Sequence, residues 1–267
     1  MVITTFMNHL TTAARQRSLP LAAVAAKCLD AGITGLDLLT ANLQDLDTLD
    51  RLLGTGMHVN SFAAFTDFLH DGSDAAVEQV LENVLRVGAK TLLVIPGILR
   101  ETDTDASVER SIDAVRRLCN LAAPLGLCVG MEPFDNAASP IATCRGLQRY
   151  LDAVEQLSCI FDTGNFFFSG EDVLAAYRIF KPRITRQLHC KDRSLTPRVC
   201  EDIHKTADGR LMYAVPVGGG ILPVAQIAAD LADSGFDGSI TIEHFGSSDQ
   251  MGDLLASAAC LRSALSL

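Results

Sequence analysis

The chain has 267 residues, 48% of them hydrophobic, which is enough for a sizeable core in one or two domains. It carries 22 basic and 32 acidic residues, a formal net charge of −10, which disfavours non-specific binding to nucleic acid or to an anionic membrane. No apolar run approaches the roughly 18 residues a membrane span needs, so no transmembrane helix is expected.

In chain order, period-two alternation predicts a strand at 2–7, and a helical pattern follows at 19–32, ending at Gly32. A strand at 33–40 leads to a helix at 41–56, which stops at glycine. A strand at 57–65 leads to a helix at 73–89, with Ser73 placed to cap it. Strands at 91–97, 127–134, 158–165, 184–192 and 239–245 alternate in the same way with helices at 106–126, 144–155, 170–180, 223–236 and 249–265. Eight strands alternate with eight helices, and runs such as Thr91-Leu92-Leu93-Val94-Ile95 are apolar on both faces, as in a covered parallel sheet. The expectation is an α/β fold, a (β/α)₈ TIM barrel formed by one domain over 1–267.

The eight cysteines, Cys28, Cys119, Cys128, Cys144, Cys159, Cys190, Cys200 and Cys260, form no C-x-x-C pair and mostly lie inside apolar segments. Buried free thiols are expected, in keeping with a reducing cytoplasm. The N-terminus lacks the basic start and apolar block of a secretory signal.

Chemistry in such a barrel sits at the C-terminal strand ends. Asp37 lies on the second predicted strand, Glu132 on the fifth, Asp162 on the sixth, His189 on the seventh and Glu243 on the eighth. Alternation gives direction. Leu127, Val129 and Met131 share the outward parity, so Glu132 points inward, and the same reasoning turns Asp162, His189 and Glu243 inward. A single carboxylate at a strand end is ordinarily a cap or a solvated charge, and a single inward histidine is ordinarily a core residue. Four at one level on successive strands differ, because three carboxylates would repel one another across the barrel mouth unless a cation lay between them. Three oxygens and one imidazole suit a single divalent ion, Mn²⁺ or Mg²⁺ first, with Co²⁺ and Zn²⁺ compatible.

The pieces GLDLL (35–39), VGMEPF (129–134), FDTGN (161–165), LHCKD (188–192), VGGGILP (217–223) and GFDGSITIEHFG (235–246) are weak singly but specific in this order. In them the chain resembles the xylose isomerase-like superfamily of TIM barrels, the sugar phosphate isomerase/epimerase group, over nearly its whole length. The resemblance implies a metal held by Glu132, Asp162, His189 and Glu243, with Glu132 and Glu243 also acting as the acid/base pair. The implied activity is a cytoplasmic sugar isomerase or epimerase acting through an enediolate on a small ketose or keto-polyol. The same proton abstraction can lead to elimination, so a dehydratase of a keto-inositol or dehydroshikimate-like substrate is the alternative. An endonuclease IV-like phosphodiesterase is a third reading, suggested by Asp202-Ile203-His204. It is opposed by Asn165, which stands where many relatives carry a histidine, and by the acidic charge.

Asn165, Lys191, Asp37, His70, Arg193 and His204 are candidate substrate contacts. Lys191 shares the inward parity of His189. The stretch from Arg193 to Gly220 is long for a βα connection, and a lid or substrate-binding insertion is expected there. Neither a nucleic-acid nor a membrane partner is expected, and homo-oligomerisation is left open.

Overall fold

A computed structural model describes residues 1–266. Its strands and helices, in chain order, are β1 (Val2–Phe6), α1 (Met7–Arg17), α2 (Leu21–Asp30), β2 (Ile33–Leu39), α3 (Leu46–Leu53), β3 (His58–Phe65), α4 (Asp74–Val87), β4 (Thr91–Ile95), α5 (Asp105–Ala122) and β5 (Cys128–Met131). They continue with α6 (Cys144–Ala153), β6 (Ser158–Asp162), α7 (Thr163–Phe168), α8 (Val173–Phe180), β7 (Ile184–Cys190), β8 (Asp192–Ser194), β9 (His204–Lys205), β10 (Leu211–Val215), α9 (Val224–Asp233), β11 (Ser239–Ile242) and α10 (Gln250–Ala264).

Eight strands close into a parallel barrel in the order β1-β11-β7-β6-β5-β4-β3-β2, and helices cover it, so the expected TIM barrel is the fold. Every residue of β4 is buried, as its uninterrupted apolar run requires. Ser73 caps α4 by accepting from the Ala76 N–H. All eight cysteines are free, and Cys28, Cys119, Cys159 and Cys190 are buried.

Besides ending the strands expected at 91–97, 127–134 and 239–245 two or three residues early, the structure departs from the periodicity in three places. Helix α1 follows β1 with no loop between them. Its sequence, MNHLTTAARQR, holds few large aliphatic side chains, so its helical period is faint, yet it buries Met7, His9, Leu10 and Ala13. The strand expected at 158–165 ends at Asp162, where the chain turns at once into α7. The expected insertion after the seventh barrel strand folds into a small sheet of order β8-β10-β9.

That sheet is tied down on two sides. Glu201 N donates to Gly246 O, and Cys200 bridges Ser247 in the loop after β11. Ala207 N donates to Phe168 O at the end of α7. Its return to the barrel is organised by Asp192, whose carboxylate accepts from the N–H groups of Gly218, Gly220 and Leu222. A Cβ at Gly220 would lie 2.1 Å from Asp192 Oδ1 and 2.4 Å from Arg193 O, so this close approach admits only glycine.

Candidate active site

The C-terminal ends of β5, β6, β7 and β11 bring Glu132, Asp162, His189 and Glu243 to one point. The residues come from a continuous arc of the barrel, with the two glutamates at its ends. Nδ1 of His189 lies 2.8 Å from Glu132 Oε2, 3.2 Å from Glu243 Oε2 and 4.0 Å from Asp162 Oδ2. The ligand atoms of Glu132, Asp162 and His189 all fall within 4.8 Å of one another. All four side chains are buried.

None of those four facing atoms has a hydrogen-bond partner among the described residues. Three buried carboxylate oxygens crowd round one imidazole nitrogen, a costly arrangement for polar atoms left without well-formed hydrogen bonds. A divalent cation at their centre would satisfy all four at once, and the donor set, three carboxylates and an imidazole, fits one. Asp162 shows how the backbone orients a ligand. Its Oδ1 accepts from Gly164 N at 2.8 Å and Asn165 N at 2.7 Å, capping α7, while Oδ2 is left facing the cluster.

Lys191 enters beside this cluster. Its ammonium is 2.6 Å from Glu243 Oε1 and 3.3 Å from Asp162 Oδ2, and donates to Asn165 Oδ1 at 2.8 Å. Asn165 in turn donates to Pro133 O at 2.7 Å, so it links the end of β5 to the lysine rather than only turning the chain. The lysine stem runs over Gly164, where a Cβ would come within 2.6 Å of it.

Burial dominates the electrostatics. It pushes Asp162 up to about 7, with repulsion from Glu243 and Glu132 added and the Lys191 ammonium opposing. Burial also raises Glu132 against the pull of His189. On Glu243 burial is outweighed by Lys191 and His189, which hold its carboxyl well below the usual range. On His189 burial opposes the charge, but Glu132 and Glu243 prevail and hold the imidazole well above its ordinary value.

A cavity of about 200 Å³ opens over these groups. Glu132, Asn165, Lys191, Arg193, His204, Asp135 and Glu243 supply its polar lining, and Phe6, Leu39, Phe65, Leu93, Phe134 and Phe245 its apolar walls. The expected contacts Asn165, Lys191, Arg193 and His204 are therefore gathered in one place, the last two carried by β8 and β9 of the small sheet. A larger hollow, about 730 Å³, is a groove between α5 and α6, lined by Asp105, Arg149 and Asp152, away from the strand ends.

Two expected substrate contacts are corrected. Asp37 is fully buried below the cavity, and both its oxygens are occupied. Oδ2 accepts from Thr4 at 2.6 Å and Thr241 at 2.9 Å, and Oδ1 from Asn60 at 2.6 Å, Ser61 at 2.5 Å and Gln187 at 3.1 Å. It is the hub of a polar layer across the barrel. His70 lies outside the cavity lining, held between Asp67 at 2.5 Å and Asp103 at 2.8 Å.

Two positions escaped the sequence reading. Gln187 shares the parity that singles out His189, and that signal was sufficient to find it. His9 lies on the unforeseen α1. Its Nε2 accepts from the His244 N–H at 3.1 Å and its ring stacks on His244 at 5.2 Å, directly behind Glu243.

The xylose isomerase-like TIM barrel family matches residues 25–264. The chain belongs to that family. Its relatives in the family include an inosose dehydratase from Lacticaseibacillus casei, 25% identical over 236 residues, covering 80% of this chain and 78% of that one. Among solved xylose isomerase-like barrels, the fold matches L-ribulose 3-epimerase with a TM-score of 0.70 and 17% identity, over 100% of this chain and 95% of the other. It also matches the IOLI protein with a bound zinc atom, with a TM-score of 0.71 and 14% identity, over 100% and 98%. The family is thus established, Glu132, Asp162 and His189 lie close enough together to hold a metal, and no described helix is long and apolar enough to cross a membrane.

Proposed function

We propose that this chain is a divalent-metal-dependent isomerase or epimerase that moves a proton on the carbon next to the carbonyl of a small ketose or keto-polyol. The observation that carries the reading is the pair Glu132 and Glu243, two buried carboxylates flanking His189 Nδ1 at the floor of one small cavity. Glu132, Asp162, His189 and Glu243 would hold the ion, Mn²⁺ or Mg²⁺ by the hardness of the set. Bound there, the ion supplies Lewis acidity, polarising a carbonyl and making the adjacent C–H more acidic.

The protein's own groups do the rest. One glutamate accepts the proton and the other delivers one, as two separately placed carboxylates can. Lys191, fixed by Glu243 and Asn165, offers an N–H to a substrate oxygen as charge builds on it. The aromatic and aliphatic walls exclude water and pack the C–H faces of the substrate.

The test is solvent exchange. A panel of ketoses, keto-inositols and hydroxypyruvate, incubated with enzyme and Mn²⁺ in deuterium oxide, is followed by NMR. Deuterium should enter at the carbon beside the carbonyl, and Glu132→Gln and Glu243→Gln should each lower exchange by at least 10²-fold while the circular dichroism stays native. Exchange retained in both variants overturns the acid/base assignment.

A second reading, dehydration of a keto-inositol, is favoured by the sequence relation to the inosose dehydratase. It predicts that the same panel yields a conjugated enone absorbance in place of an epimer.

A further inference from the structure

We infer that the cavity is built to grip an oxyanion of its ligand, a carboxylate or a phosphate, on Arg193, with His204 beside it. This rests on the reading of the cavity as a site for a small ketose, and names the class within it.

Arg193 is 1% exposed and lines the cavity, yet its guanidinium makes no hydrogen bond to any described residue. Nε and Nη1 are both buried without a partner. A guanidinium cannot shed its charge, so its burial unpaired costs far more than a missed neutral hydrogen bond. Other groups in the cavity do not relieve it. Lys191, the other buried cation there, is already matched by Glu243 and Asp162. Asp135 also lines the cavity but forms no ion pair with Arg193 among the described residues.

His204 lines the same cavity, and its Nε2 is buried without a partner among the described residues. Asp202 stands 3.5 Å from that atom without hydrogen-bond geometry. Neither side chain hangs on a free loop. Arg193 pairs with Ala214 in the small sheet, its N–H donates to Asp192 Oδ1 at 2.8 Å, and its carbonyl accepts from Ile221 N at 2.9 Å. His204 pairs with Met212 of the same β10. One three-stranded sheet therefore carries both side chains to the cavity that the carboxylates line, and a guanidinium fork matches the paired oxygens of a carboxylate or a phosphate.

Matched probes test this. D-fructose, D-fructuronate and D-fructose 6-phosphate share a carbonyl and differ at the far end. Their binding to the Mn²⁺-loaded full chain is measured by calorimetry, together with acetate and inorganic phosphate. At least one charged sugar should bind at least 10-fold tighter than fructose, and added NaCl should erode the difference. Fructuronate ahead of the phosphate assigns a carboxylate, and the reverse a phosphate.

In Arg193→Gln the preference should fall to within about 2-fold, and Arg193→Lys, which keeps charge but not the fork, should retain part of it. Equal binding of the three sugars by the wild-type chain overturns the inference, as does a preference undiminished in Arg193→Gln or a failure of all five probes to bind. Deuterium exchange measured on the same samples separates the two readings. Lack of exchange alongside a charge preference counts against the enolising function alone, and exchange without a preference counts against the oxyanion site alone.

Discussion

Asp37 and Glu243 are both inward carboxylates, and their surroundings give them different work. Asp37 receives five side-chain donors, from Thr4, Asn60, Ser61, Gln187 and Thr241, and is closed off from the cavity. Removing it strands several buried donors, so Asp37→Ala should cost on the order of 3–5 kcal/mol in urea unfolding. A loss below about 1 kcal/mol would show that the layer re-pairs easily and is not a structural hub. His70 gives a pH-dependent counterpart. Hydrogen bonds donated to Asp67 and then to Asp103 raise its folded pKa above the ordinary value. Asp103 is lowered to about 2, first by the Arg100 N–H and then by His70. The histidine's contribution is fully present below its unfolded pKa and disappears as pH rises through the elevated folded one. The Asp103 contribution is present above the ordinary carboxylate range and disappears as pH falls through about 2. His70→Gln should therefore lower the unfolding temperature at pH 5–6, with the deficit narrowing as pH climbs past the histidine's elevated value. A deficit that is flat across pH would remove the ion pair from the explanation.

At the scale of elements, the barrel strands and most of their covering helices follow from alternation, glycine stops and caps, because those signals are local. The convergence follows from parity for the same reason: Asp162 and His189 lie on short strands with apolar neighbours, and Glu132 and Glu243 lie one residue past such strands. What escaped depends on pairing across long distances in the chain. Strand β9 is two residues long and exists only because β10 pairs with it, and β8 is three residues long. The helical period of α1 is hidden in MNHLTTAARQR, and with it the support that His9 gives behind Glu243. Parity reports direction and not depth, so it does not separate Asp37 from the inward carboxylates above it. The small sheet also makes the most pointed element-level forecast. Gly220 sits against Asp192 Oδ1 and Arg193 O, so Gly220→Ala must push that return loop outward. Trypsin should then cut faster at Arg193, Arg198, Lys205 and Arg210 than in the wild-type chain, with the barrel fragments remaining associated. Unchanged cleavage would mean that the loop absorbs a Cβ without moving.

For the molecule as a whole, the fold gathers carboxylates that only a cation between them would reconcile. Asp162, Glu132, Glu243 and His189 are buried together, and their facing atoms have no hydrogen-bond partners among the described residues. Closing the barrel brings these four atoms together, whereas the unfolded chain scatters them. A divalent ion held by the four would bind the folded form in preference to the unfolded one and so stabilise it by linkage. At an ion concentration 100 times the Kd this amounts to about 2.7 kcal/mol. For a chain of this size that is a rise of about 5 °C in Tm. Manganese added to chelator-treated protein should produce this shift, and EDTA should reverse it. Asp162→Asn should abolish most of it, because the amide replaces the ligand oxygen that faces His189, although the variant can still accept from Gly164 and Asn165 at the α7 cap. Gly220→Ala, which leaves the four ligands untouched, should keep the shift in full. If manganese raises Tm equally in the wild-type chain and in Asp162→Asn, the ion is acting elsewhere on the acidic surface and the four converging side chains do not form its site.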